Sequence, residues 1–424
     1  MLNCLSDERF FHYQGADLFC EQVALSDLAH RFQTPLYVYS KGQLLHDFER
    51  YQQALGKLNH LVCYAVKANG NLALLQQLAR AGAGFDIVSI GELARVKAAG
   101  GDTKKVIFSG VGKTRVEILK ALQADILCFN VESIPELDRI AEVAREHHLI
   151  ARISIRVNPN VDAKTHPYIS TGLRNNKFGV AYEECFDLYR RAASLPNIAI
   201  VGIDCHIGSQ ITQIEPYLDS FEKILDLVEK LREIGISLHH IDMGGGIGVC
   251  YQKSDQLIDL NDLVEQIFNR LKERNLTDLN LIVEPGRSVV CQSGALLMQA
   301  QYVKKTPTKK FLIVDASMTE MLRPALYQAN MPLCEVHRNG LDKQTYEVVG
   351  PVCESSDWLA HDCPLDVLPD QYLAMLMAGA YGSSMSSTYN ARPRPAEVLV
   401  DGKNVHLIRQ RDSYESLWEN EKML

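Results

Sequence analysis

The chain has 424 residues, 46% of them hydrophobic and 23% charged, with a net charge of −8. That length exceeds the roughly 100–200 residues of an ordinary domain, so a large domain with a smaller companion is the expectation. The composition excludes intrinsic disorder, and the mild acidity argues against nucleic acid or an anionic membrane as partner.

The opening residues MLNCLSDERFFHYQGADLFC lack a basic stretch followed by an unbroken apolar run, and no later apolar run reaches membrane-spanning length, so a cytoplasmic protein is expected. Eleven scattered cysteines without a CxxC pair fit neither a disulfide framework nor a zinc site, and no metal is expected.

Within residues 1–39, FFHYQ and PLYVYS are short strand signals flanking one helical stretch. From 40 to 285, eight β-rich runs alternate with amphipathic helices. The runs are LVCYAV (61–66), GFDIV (84–88), KVIFS (105–109), DILCF (125–129), IARISIRV (150–157), IAIVGIDC (198–205), LHHIDM (238–243) and LNLIVE (279–284). NLALLQQLARAG, IGELARVKAAG, ESIPELDRIAEVAREHH and the span from Glu215 to Ile234 carry the 3.6-residue period between them. Eight such repeats predict an α/β fold, a (β/α)8 barrel of the TIM type, with an open doubly wound sheet as the competitor. Beyond 286 the texture turns to strands, in ALLMQAQYVKK, KKFLIVD, QTYEVVG, YLAMLMAG and AEVLVDG, separated by Pro, Gly and Asn. Residues 286–424 therefore predict a mostly antiparallel β domain, sandwich or barrel, which also takes in residues 1–39.

Barrel enzymes carry their chemistry at the carboxyl ends of the strands. Here those positions hold Lys67, Asp86, Ser109, Asn130, Asn158, His206 with Ser209, Gly244 to Gly246, and Glu284 with Arg287. A strand-end lysine is ordinarily a solvated one, and only its neighbours can make Lys67 a Schiff-base amine. Two glycine turns, MGGGIG (243–248) and EPGR (284–287), suit a phosphate cradle near the closing seam, and neither fits the Walker or dinucleotide pattern. Glu284 reads as the partner of Arg287 or as a carboxylate that keeps a pyridine nitrogen protonated. His206 reads as a core histidine or as a flat ring against a cofactor.

The motifs YAVKAN, FDIVSIGEL, RVNPNVDAKTHPYISTG, NKFG, HIGSQ, GGGIG, EPGR, MLRPALY, GPVCESSDWLA, AGAYG, MSSTYNARPRPAEVLV and IRQRDSYESLWENE span nearly the whole chain. Together they resemble the diaminopimelate decarboxylase family, within the alanine-racemase-like barrel class of pyridoxal-phosphate enzymes. The resemblance implies pyridoxal 5'-phosphate as cofactor, with Lys67 as its Schiff-base lysine, Asp86 nearby, His206 stacked on its ring and Glu284 at its ring nitrogen. It implies Ser209, Gly245, Gly246, Gly286, Arg287 and Tyr381 around the phosphate, and Arg287, Arg323, Tyr327 and Tyr381 toward substrate. It further implies a homodimer in which a second subunit lends Cys353 as proton donor and Glu354 for the distal ammonium. The implied reaction converts meso-diaminopimelate to L-lysine and carbon dioxide. An arginine in MLRPALY and an acid in CESSD suit a substrate whose distal end carries both charges. Decarboxylases of ornithine, lysine or carboxynorspermidine are the alternatives, and MLRPALY speaks against the first two; a racemase would need a second acid–base group, which CESSD lacks, and a non-catalytic relative would not need Lys67. PDQYLAM lacks an expected glycine and SSTYN carries Thr388 in place of an asparagine, departures that bear on loop conformation.

Overall fold

In the computed structural model, residues 9–163, 171, 172, 176–252, 255 and 257–424 are described. The middle of RVNPNVDAKTHPYISTG lies outside them. The chain divides into two compact units, one drawn from residues 48–249 and 256–288, the other from 1–47, 250–255 and 289–424.

The first unit is a closed parallel barrel. Its strands are β1 (His60–Ala65), β2 (Gly84–Ile87), β3 (Val106–Phe108), β4 (Cys128–Val131), β5 (Ala151–Asn158), β6 (Ile198–Asp204), β7 (His240–Asp242) and β8 (Asn280–Val283). Each pairs with its successor, and β8 returns to β1, so the doubly wound alternative is excluded. All eight predicted runs form strands. The fourth begins later than the alternation suggests, at Cys128, because Asp125 adopts a left-handed φ of 53° and spends the first residues of DILCF in a turn.

Helices form between strands where a short polar side chain can satisfy the first free amides. Asn71 caps Leu72–Arg80, Ser89 caps Ile90–Ala98 and Ser133 caps Ile134–Glu146. Thr114 and Glu117 form a reciprocal capping box at Arg115–Gln123. The longest helix, Glu215–Glu233, lays Phe221, Ile224, Leu225, Val228 and Leu231 into the core. Between the helices and the barrel, Lys113 is buried and ends 2.7 Å from Glu136, donating also to the carbonyls of Gly110 and Asn130. A buried ammonium persists only with partners of this kind.

The second unit contains a sheet ordered Trp358–Leu365, Gln344–Val349, Lys310–Val314, Gly294–Lys305, Leu36–Ser40, Ala396–Asp401 and Asn404–Arg409. Tyr372–Met375 pairs with Gly294–Lys305 and with Leu333–Glu335. Most pairings are antiparallel, as the sequence predicts, and two are parallel: Lys310–Val314 with Gln344–Val349, and Ala396–Asp401 with Leu36–Ser40. PLYVYS lies centrally in this sheet, while Phe11–Gln14, Asp17–Cys20 and Val23–Ala24 make a small separate one. Trp358–Leu365 escapes the sequence reading because Asp362 and Pro364 blur its alternation. Among the described residues no helix is long and apolar enough to cross a membrane.

Gly202 on β6 faces His240 of β7 so closely that a Cβ would stand 2.0 Å from the imidazole Nε2. Gly202→Ala is therefore expected to cost ~1–3 kcal/mol by overpacking, read as a fall in the denaturation midpoint; an unchanged midpoint would show that His240 can move aside freely.

Candidate active site

Lys67 leaves β1 in a single 3-10 turn, Val66–Ala68, which lifts its side chain off the strand end. Its Nζ lies 2.7 Å from Oδ2 of the fully buried Asp86 on β2. Ala65 and Asp86 are register partners, so barrel pairing itself brings amine and carboxylate together. The sequence names both residues but not this contact.

The glycine turn after β7 is tied to its neighbours by backbone. Gly244 N–H donates to Asp242 Oδ1 at 2.8 Å, Gly245 N–H donates to His206 Nδ1 at 3.2 Å, and Tyr217 donates its hydroxyl to the Gly245 carbonyl at 2.5 Å. A Cβ on Gly245 would stand 2.1 Å from the Glu284 carbonyl oxygen, and one on Gly246 2.1 Å from that of Gly208. Only glycine allows this approach, and Gly246, at φ 101°, needs it for conformation as well. Past β8, Glu284 is buried, Gly286 packs against Ala65 and Ala68, and the buried Arg287 donates to Ser209 Oγ at 3.1 Å. Lys67, Asp86, His206, Ser209, Gly245, Gly246, Glu284, Gly286 and Arg287 thus all belong to one barrel rim.

The electrostatics of this rim are unusual. His206 is held well below its ordinary pKa by the surrounding protein and by the positive charges of Arg156 and Lys67, so its imidazole is neutral and its Nδ1 is an acceptor. Burial pushes the Glu284 carboxyl well up, reinforced by Asp242, Asp86 and Asp204. Asp204 is raised by the same cause, and Asp242 is pushed up to about 7. Arg156, on β5, ends 2.8 Å from Glu132 and 3.9 Å from Asp204. Asp204, Asp242 and Arg156 are absent from the sequence-based residue set. Each is the last or near-last residue of a strand, which was the available signal.

The remaining candidates lie in the second unit. Arg323, at the start of the short helix Arg323–Tyr327, is buried; its Nη1 donates to the Tyr251 hydroxyl at 2.8 Å and its guanidinium lies 4.7 Å from that ring's centre. Its buried Nε meets no hydrogen-bond acceptor among the described residues. Tyr327 ends the same helix and is half-buried, and Tyr381 adopts a left-handed φ of 56°. Cys353 and Glu354 are exposed on a loop held by Asp357, whose carboxylate accepts from Met318 N–H and Val352 N–H at 2.6 and 2.8 Å. Asn390 Oδ1 accepts from Cys353 N–H at 2.9 Å and the Tyr389 hydroxyl donates to Glu354 at 3.3 Å. Tyr251 carries no motif signal, because its contact with Arg323 spans 72 positions; Asp357 and Asn390 lie within GPVCESSDWLA and MSSTYNARPRPAEVLV, but nothing in those motifs marks them as supports.

Residues 41–291 match the family described as pyridoxal-dependent decarboxylase, pyridoxal binding domain. The chain is 51% identical over 414 residues to the diaminopimelate decarboxylase of Pseudomonas aeruginosa, covering 98% of this chain and 99% of that protein. The chain belongs to the diaminopimelate decarboxylase family. The solved structure of the family member from M. jannaschii in co-complex with L-lysine superposes with a TM-score of 0.93 at 39% identity, covering 98% of each chain. The member from Helicobacter pylori complexed with L-lysine gives 0.90 at 42% identity, covering 94% of this chain and 99% of that one.

The cofactor of this family is pyridoxal phosphate, and the barrel rim fits it. Oε1 of Glu284 is buried and accepts no hydrogen bond from the described residues, as suits a carboxylate with an outside donor to meet. The glycine turns let the rim backbone pack directly on neighbouring backbone, where a Cβ would collide with the carbonyls of Glu284 and Gly208, a close-packed main-chain surface of the kind that suits a phosphate.

Three carboxyls raised by burial make a definite demand on stability. Between the unfolded value near 4 and about 7 for Asp242, the folded chain binds more protons than the unfolded one. Stability therefore falls as pH rises through that interval. The thermal midpoint of the cofactor-free protein should decline from pH 5 to 7.5; a midpoint that climbs over this range would contradict the raised carboxyls.

Proposed function

We propose that this protein decarboxylates meso-2,6-diaminopimelate to L-lysine and carbon dioxide, as the last step of lysine formation. The single observation that carries the reading is Lys67 Nζ set 2.7 Å from buried Asp86 on the rim of a barrel whose chain belongs to this family. Lys67 would hold the cofactor through its amine. Ser209, Gly245, Gly246, Gly286, Arg287 and Tyr381 would take its phosphate, His206 would lie against its ring, and Glu284 would face its ring nitrogen. When bound, pyridoxal phosphate supplies a protonated ring that accepts the electron pair left when the α-carboxylate departs.

The protein's own groups do the rest. Asp86 would hold the Lys67 nitrogen in place and balance positive charge on it. A neutral His206 gives a flat surface without adding positive charge beside the ring. Arg323, with a buried N–H left to donate, suits the distal carboxylate, with Arg287, Tyr327 and Tyr381 completing the grip. Cys353 delivers the proton to the α-carbon, and Glu354 receives the distal ammonium. Both are exposed, and a second copy of the chain supplies them, so the working form is a homodimer. All ten described cysteines are free, in keeping with a reducing, cytoplasmic setting.

Two experiments test this reading. Purified protein loaded with cofactor should release lysine from meso-diaminopimelate, and Lys67→Ala should lower kcat by at least about a thousandfold; no lysine from the loaded wild type sinks the substrate assignment. Mixing inactive Lys67→Ala and Cys353→Ala proteins and allowing subunits to exchange should restore about a quarter of wild-type activity, because half the sites in mixed dimers are intact. Zero recovery after verified exchange would place Cys353 in the same subunit's site, or outside it.

A further inference from the structure

Strands β6 and β7 set Asp204 and Asp242 side by side as register partners, both fully or almost fully buried. Carboxylate oxygens of Asp204, Asp242 and Glu284 lie within 4.8 Å of one another. Asp204 Oδ1, Asp242 Oδ2 and Glu284 Oε1 are buried and meet no hydrogen-bond donor among the described residues. The cations at hand are already engaged: Lys67 Nζ with Asp86 at 2.7 Å, and Arg156 Nη1 with Glu132 at 2.8 Å, leaving only its Nε at 3.9 Å from Asp204. Cys63 on β1 and Cys128 on β4 also face the group, and burial keeps both thiols neutral. Three adjacent carboxylates with so little opposing charge cannot all be ionised in this interior. A carboxylate oxygen of Asp242 lies within 4.8 Å of one of Glu284, and two carboxyl groups can bond only through a proton on one of them.

We propose that Asp242 carries the proton of this carboxyl cluster and is a positioning residue which donates it toward Glu284, holding Glu284 as the ionised carboxylate that faces the cofactor's ring nitrogen. This rests on the role given above to Glu284. A donor fixed on one oxygen of Glu284 stabilises its charge, lowers its basicity, and so leaves the second proton on the ring. Burial raises all three carboxyls, Asp242 to about 7, which keeps a proton resident in the cluster at neutral pH, and a ring cation facing Glu284 would put that proton on the aspartate side. An uncompensated buried acid pair that merely filled space would be replaced at a gain in stability by apolar residues; its use is to set the charge on Glu284.

The test uses the full-length holoenzyme carrying cofactor labelled with 15N in the ring. Asp242→Ala is expected to lower kcat about ten- to a hundredfold, with KM changed by less than about threefold. Its ring 15N resonance should move toward the neutral-pyridine position. Asp242→Asn, which keeps a donor, should recover most of the rate and the pyridinium resonance. Asp242→Leu, close in volume and without a donor, replaces the alanine variant if the cavity prevents folding. A donorless variant with an unmoved ring resonance overturns the proposal, as does an Asp242→Asn protein as impaired as Asp242→Ala. A neutral ring in the wild-type holoenzyme would instead refute the role of Glu284, and lysine release by the wild type, assayed separately, reports on the reaction itself.

Discussion

Everything functional in the barrel unit depends on how charge is accommodated in a dry interior. A closed eight-stranded barrel fills its middle with side chains, and in this chain the layer nearest the carboxyl ends is supplied by Asp86, Arg156, Asp204 and Asp242 rather than by branched apolar residues. Each acid there must be matched by a cation, a donor or a proton. Lys67 matches Asp86, Arg156 matches Glu132, and the remaining carboxyls are left in need of outside positive charge. On the proposed reading a cofactor with a protonated ring would supply that charge beside Glu284, so that the electrostatic shortfall and the binding site would be one feature.

The same logic separates what the sequence made legible from what it did not. Strand–helix alternation is a local signal, and it identified all eight barrel strands because each β-rich run stands out from the helical stretches around it. Motif residues at strand ends were found because the barrel rule points to them. Lys67 beside Asp86 was not readable as a pair, since nineteen residues separate them and only strand pairing joins them. Arg156, Asp204 and Asp242 were passed over because a charged residue inside an apolar run looks like a strand terminus facing solvent. Closure of the sheet turns those same positions inward.

In the other unit the supports are harder to read still. Tyr251 holds Arg323 across 72 positions, and Asp357 holds the loop that bears Cys353 and Glu354 through backbone amides of Met318 and Val352. The resemblance to the family singled out Arg323, Cys353 and Glu354 by motif, while Tyr251 lies outside every motif and Asp357, although within GPVCESSDWLA, gives no sign there of its hold on backbone amides. Cys353 and Glu354 are exposed, with the Glu354 carboxylate met at 3.3 Å by the Tyr389 hydroxyl, which leaves both side chains accessible from outside, as the proposed sharing between subunits requires.

The position of Leu36–Ser40, between Gly294–Lys305 and Ala396–Asp401, bears on how the polypeptide is made. A segment that leaves the ribosome early is flanked by two strands translated far later, so its edges stay open through most of synthesis. Barrel strands close mainly onto their immediate successors and can assemble as they emerge. The β unit has no such option, and its completion must wait for nearly the last residues of the chain. Truncation near the carboxyl terminus would accordingly strand an apolar, fully buried segment from the opposite end of the molecule, and turn a small deletion into a hazard for aggregation.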